Sequence, residues 1–149
     1  MMDNESVTSP GSIVKLPLAA AVVALVGLAD SVYLTVKHLT EEPVPCSIVE
    51  GCETVLNSAY AAYEGIPLAA FGAVAYFIAF SLALLSAFGN RTTWNLFGVQ
   101  VVLMSLFTAW LLYLQAYIIG AFCQFCLLSA ATTFTMMIIF AISRIGRFK

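Results

Sequence analysis

Four cysteines carry the reactive chemistry of this chain, and they fall into two pairs. Cys123 and Cys126 belong to the run Cys123-Gln124-Phe125-Cys126, a CxxC between two uncharged apolar stretches. Cys46 and Cys52 form a wider pair within the only long polar segment, residues 38–65. Such a set admits three chemistries: inert disulfide staples, one closed tetrathiolate zinc site, or electron relay by thiol–disulfide exchange. Zinc fits worst, because only one pair has the short spacing of zinc modules. A staple is the default for an even cysteine count, yet a CxxC bridge closes almost no loop and constrains the unfolded chain little. A thiol at the start of a helix meets unpaired N–H groups and the positive end of the helix dipole, which favour the reactive thiolate. Relay is the reading these residues favour. A disulfide-stapled membrane scaffold or interaction subunit without turnover is the alternative.

The elements that position the thiols follow from composition. Among 149 residues, 62% are hydrophobic and 9% charged, against ~25% charged in soluble domains. The chain is therefore expected to be an all-α membrane protein, and the lack of a basic run sets nucleic acid aside. The N-terminus does not read as a cleaved signal peptide, because Asp3 and Glu5 stand where a basic region belongs. Leu16 to Val36 is an apolar run interrupted by Asp30, and Ile66 to Phe88 is uncharged. Thr92 to Ser143 also lacks charge. As one helix that stretch would measure ~78 Å, more than twice a hydrocarbon core. It must be two spans, broken near Gly120. The expectation is a single domain over 1–149, with spans at about 16–37, 66–88, 93–119 and 122–143 and a redox loop at 38–65. Within that loop Val55, Leu56, Ala59, Tyr60 and Tyr63 recur at helical spacing, predicting a short amphipathic helix at the membrane surface.

Basic residues orient the bundle. With four spans, Lys15, Arg91, Arg144, Arg147 and Lys149 share one face, leaving Lys37 opposite. By the positive-inside rule that face, and both termini, are cytoplasmic. All four cysteines then lie on the outer, oxidising side of a multi-pass protein of the cytoplasmic membrane. Cys123 and Cys126 share a helix face, with Cys126 ~4.5 Å deeper in the bilayer. Cys123 is the thiol a loop can reach, and Cys126 the one that faces a membrane-dissolved oxidant. With no flavin, haem or nucleotide motif in the sequence, a lipid-soluble quinone (ubiquinone, menaquinone or a relative) is the expected acceptor. Phe71 and Phe122 are candidates for the wall of a ring pocket. Asp30 is costly inside a membrane; a carboxylic acid kept neutral or hydrogen-bonded to a neighbouring helix near the outer interface is weighed for it against a proton relay, with the former favoured slightly. His38, at the outer end of that span, has a solvated reading beside a catalytic one, and Gln115 could meet a quinone oxygen or bond another helix.

The pattern Cys46-x5-Cys52, with Ser58 six residues on and Phe122-Cys123-x-x-Cys126 opening the last span, resembles the vitamin K epoxide reductase family. Ser31 to His38 looks like the end of that family's first helix, and Gly65-Ile66-Pro67-Leu68 with Phe71-Gly72 like its entry to the second. The resemblance covers nearly the whole chain. It implies a four-transmembrane-helix bundle around a quinone, capped by an outer loop and short surface helix between helices 1 and 2. It also implies that Cys46 exchanges with a thioredoxin-like or DsbA-like partner, that Cys52 passes electrons to Cys123, that Cys126 faces the quinone, and that Ser58 supports a ring oxygen. Animal members carry Asn and Tyr, which bind the vitamin K ring, where this chain has Leu68 and Ala130. That difference favours a prokaryotic-type enzyme reducing plain quinones. Many prokaryotic members carry a fused thioredoxin-like domain; with Lys149 as the last residue here, a separate partner is expected.

Overall fold

Backbone N–H and C=O groups find no water in a bilayer, so a long apolar run crosses it as a helix. The computed structural model describes residues 10–43, 51, 54–55 and 57–148. In them lie helices α1 (Pro10–Leu39), α2 (Leu68–Ala87), α3 (Arg91–Tyr113) and α4 (Gln124–Phe148). All four are long and apolar enough to span a membrane. Asn90 starts α3 by accepting the Thr92 and Thr93 N–H groups on its side-chain oxygen, at 3.0 and 3.4 Å. At its far end α3 widens into a π-helical segment, Leu114–Ile119, which Gly120 ends with φ of 72°. The break expected near Gly120 is thus a helix terminus of left-handed conformation, which a Cβ would disfavour.

The segment expected to be an amphipathic helix is helical at Thr54 and Val55, but residues 57–61 are turns and bends. Ala62–Tyr63 (β1) then pairs antiparallel with Ile66–Pro67 (β2). Between them Glu64 and Gly65 both have positive φ, 51° and 84°, the signature of a two-residue hairpin turn whose twist matches its strands. A few apolar residues at helical spacing were satisfied here by a turn and a hairpin, because the segment is too short for helix periodicity to prevail.

Around the bundle the order is α1, α2, α3, α4, with α4 closing on α1. The α1–α2 contact is the most extensive. It is built from small residues: Ala20, Ala21 and Ala24 on one side, Ala79 and Ala83 on the other, all buried. Small side chains let backbones approach where no hydrophobic driving force separates helix from lipid. On the α3–α4 side, Trp94 stacks on Phe97 at 4.9 Å and donates its indole N–H to the Ser143 hydroxyl at 2.9 Å. Apolar side chains such as Val22, Phe77, Val99 and Leu106 point outward. That would be a liability in water and is ordinary contact with lipid.

One residue ties the diagonal. Tyr76 on α2 is 1% exposed. Its hydroxyl lies 2.6 Å from the Ser129 carbonyl, 2.9 Å from the Ser129 hydroxyl, and 2.7 Å from those of both Thr132 and Thr133 on α4. A phenol offers one donor and two acceptor positions, so this cluster saturates it. The ring lies flat against Gly27 of α1, where a Cβ would overlap three of its carbons. Gly27→Ala is therefore expected to displace Tyr76 and destabilise the bundle by ~1–3 kcal/mol, the usual cost of overpacking. Thermal unfolding followed by circular dichroism in detergent measures this, and the cost should shrink in a Tyr76→Ala background. An unchanged midpoint for Gly27→Ala would contradict the packing.

Candidate active site

A helix beginning in a membrane protein's interior must find acceptors for its first N–H groups. In α4 that acceptor is a sulfur. The Cys126 N–H points to Cys123 Sγ at 3.4 Å, while the Cys123 carbonyl accepts the Leu127 N–H at 2.9 Å. Cys123 is thus the N-cap of α4, in the role a Ser or Asp side chain usually fills. Its own N–H donates to Gln115 Oε1 at 3.2 Å, and Gln115 sits in the π-helical segment that re-aims the chain before the CxxC. From α1, Tyr33 packs its ring 5.2 Å from that of Phe125.

The surroundings make the capping thiol acidic. The Cys126 thiol hydrogen-bonds to it, and the backbone N–H groups of Cys126 and Phe125 add to that, so Cys123 is lowered to about 7 even though burial opposes ionisation. Both Cys123 and Cys126 are free thiols here.

The two thiols face different neighbours. Cys123 is fully buried and packs with Val55, Ile119 and Ala121. Gly51 lies against the Phe122 backbone so closely that a Cβ there would overlap the Phe122 carbonyl oxygen. Gly51 and Val55 of the loop therefore pack against the start of the CxxC. Cys126 instead lines a cavity of about 390 Å³. All four helices, the π-helical segment and the loop contribute to its wall, which is mostly apolar, with polar groups from Asp30, Ser31, His38, Ser58, Gln100 and Gln115.

Of the residues singled out in the sequence, Cys46 and Cys52 lie outside the described residues. Ser58 and Phe71 line the cavity beside Cys126; the Ser58 hydroxyl also donates to the Val55 carbonyl at 2.7 Å. Phe122 is not among the lining residues and is 41% exposed. Preceding the N-cap, it is outside the helix, so helical spacing does not govern its direction. Leu68 and Ala130 do face the cavity. Sequence reasoning passed over Tyr76, Gln100 and the Ser129–Thr132–Thr133 face. The available signal was polar groups at spacings of three and four residues within an otherwise apolar span, the pattern of a buried polar seam.

The family model for the vitamin K epoxide reductase family matches residues 18–141. A thiol-disulfide oxidoreductase, LTO1 of Arabidopsis thaliana, is 31% identical over 118 residues, covering 73% of this chain and 31% of that protein. The chain thus spans about a third of that relative's length.

The capping geometry carries a titration signature. In reduced protein with Cys46→Ser and Cys52→Ser, thiolate absorbance should rise with a midpoint near 7, below the 9.0 of an unperturbed thiol. Because the shift is downward, the thiolate is present above that midpoint and lost as pH falls through it. Adding Cys126→Ala removes the leading donor and should move the midpoint up, while Cys126→Ser retains a donor and should keep it low. Equal midpoints in the Ala and Ser variants would refute the assignment.

Proposed function

The chain belongs to the vitamin K epoxide reductase family, and we propose that it is a membrane thiol oxidase that forms disulfides and hands the electrons to a quinone. The observation that carries this reading is the division of labour within the CxxC. Cys123 is buried against loop residue Val55, whereas Cys126, one helical turn on, lines a mostly apolar cavity. A pair so divided exchanges disulfides on one side and meets an apolar oxidant on the other. The disulfide oxidoreductase among its relatives supports the same chemistry.

The cavity suits a quinone ring. Its volume of about 390 Å³ falls within the range of small-molecule sites, and an apolar wall with a few placed polar groups is the usual make-up of such sites. When bound, the quinone supplies an acceptor for two electrons and two protons. Its ring oxygens call for hydrogen-bond partners, and Ser58 and Gln115 are lining residues of that kind. Phe71 supplies an aromatic face to the wall. The apolar Leu68 and Ala130 in the same wall favour a plain quinone, ubiquinone or menaquinone in type, over vitamin K epoxide.

In this scheme a thioredoxin-like or DsbA-like protein reduces a Cys46–Cys52 disulfide through Cys46. Cys52 attacks Cys123 of a Cys123–Cys126 disulfide and displaces Cys126. Cys46 then attacks Cys52 and displaces Cys123, re-forming Cys46–Cys52 and leaving Cys123 and Cys126 as thiols. Lowering the Cys123 pKa serves both directions of exchange, since the thiolate is the nucleophile and the better leaving group. Cys126 then faces the oxidant while Cys123 closes the disulfide. The distribution of Lys and Arg supports cytoplasmic termini and cysteines on the outer face.

Purified protein supplied with a small dithiol should bleach added quinone, and Cys126→Ala should reduce that rate to background. Cys46→Ala should spare turnover driven by the small dithiol while blocking turnover driven by a reduced thioredoxin-like protein. No bleaching by the wild type, or an undiminished rate in Cys126→Ala, would remove the reading in favour of a stapled scaffold.

A further inference from the structure

Asp30 has no part in the scheme above, and its surroundings give it one. It sits within α1 at 6% exposure, and neither carboxyl oxygen has a hydrogen-bond partner among the described residues. That leaves the expected tie to a neighbouring helix unmade. Buried polar groups are nearly always bonded, and an ionised, isolated carboxylate in an apolar interior is very costly. The buried Ser105 hydroxyl is also unpartnered, but it is not in the cavity wall. Asp30 is.

Position sharpens the point. Asp30, Leu34 and His38 recur every four residues and all line the cavity, so one stripe of α1 runs from a carboxyl to an imidazole across ~12 Å. Among the described residues Asp30 is the only acid in that wall, shares it with Cys126, and lies within electrostatic range of both thiols. A carboxyl without a partner among the described residues, in the wall of a cavity that a thiol also lines, has a donor and an acceptor to offer a bound oxygen.

We propose that Asp30 is a catalytic residue which hydrogen-bonds a ring oxygen of the quinone and carries one of the two protons of its reduction. This rests on reading the cavity as a quinone site. Starting from the dithiol, two S–H bonds break, one S–S bond forms between Cys123 and Cys126, and two electrons and two protons leave the pair. Both electrons go to the quinone, whose two carbonyl oxygens become O–H. Asp30 donates one of those protons to the nearer oxygen and recovers one released by the thiols, ending the cycle as it began. Holding the donor inside a dry cavity spares that proton a path through apolar wall.

The test uses full-length protein in detergent with a short-tailed ubiquinone as the probe. First, the protein is oxidised, so that the probe binds without turnover, and infrared difference spectra are recorded. A protonated-carboxyl stretch should shift on adding the probe and be missing in Asp30→Asn. No shifting band, or one that persists in Asp30→Asn, overturns the proposal. Second, with dithiol present, Asp30→Asn should lower kcat at least tenfold, towards the ~10²–10⁴-fold typical of general acid–base groups, with KM changing far less. Asp30→Glu should recover part of the loss. If the wild type bleaches quinone and Asp30→Asn matches its kcat, Asp30 is excluded while the quinone reading stands. If the wild type neither binds nor bleaches the probe, both fall.

Discussion

Cys123 Sγ accepts the N–H of Cys126, and most of what this end of the bundle does depends on that one contact. It makes Cys123 the N-cap, so α4 starts at Gln124 and nowhere else. Once the start is set, helix geometry places Cys126 a turn further in, on the same face. The hydrogen bond also ties the thiol's acidity to the helix itself, since the group stabilised by the terminal amides is the sulfur that would act as nucleophile in the proposed exchange. A Ser at the same position would cap equally well and react with nothing.

Holding that start in place takes strain and polarity from three directions. The π-helical segment adds a residue to the last turn of α3 and brings Gln115 round to take the Cys123 N–H. Gly120 turns the chain with a positive φ, and the close fit of Gly51 on Phe122 lays the loop across the junction. On the far side of the cavity, the Tyr76 hydroxyl binds the Ser129–Thr132–Thr133 face of α4. In a bilayer, where helices gain little by excluding lipid, such polar ties each contribute of order 1 kcal/mol. Here they hold α4 from both ends of its reactive turn.

Much of this was legible in the residues. Span number followed from charge-free length, and the break at Gly120 from the excess length of the run beyond Thr92. Helical period does not report what lies between helices. Beyond the helical residues Thr54 and Val55, with Leu56 outside the described residues, the segment runs into turns and the hairpin at 62–67. There Glu64 and Gly65 take up a turn conformation that local apolar spacing does not reveal. Phe122 escaped for a related reason: a residue just outside a helix has no face. Tyr76 was invisible as a tie because its partners are some fifty residues away in sequence, on the diagonally opposite helix.

The cavity poses the problem that the thiol arrangement answers. In the proposed reaction, electrons from an aqueous partner would have to reach an apolar acceptor, yet a water channel joining the two would let solvent into the site and weaken each polar contact by screening it. A disulfide is a carrier that needs no such channel, because each exchange is a displacement between sulfurs in contact. Three residues of helix cover the remaining distance. Protons are harder to move through apolar wall than electrons between sulfurs, so a dry cavity favours a proton-bearing group inside it. Among the residues lining this one, a carboxyl with neither oxygen bonded among the described residues is the group whose chemistry would meet that need.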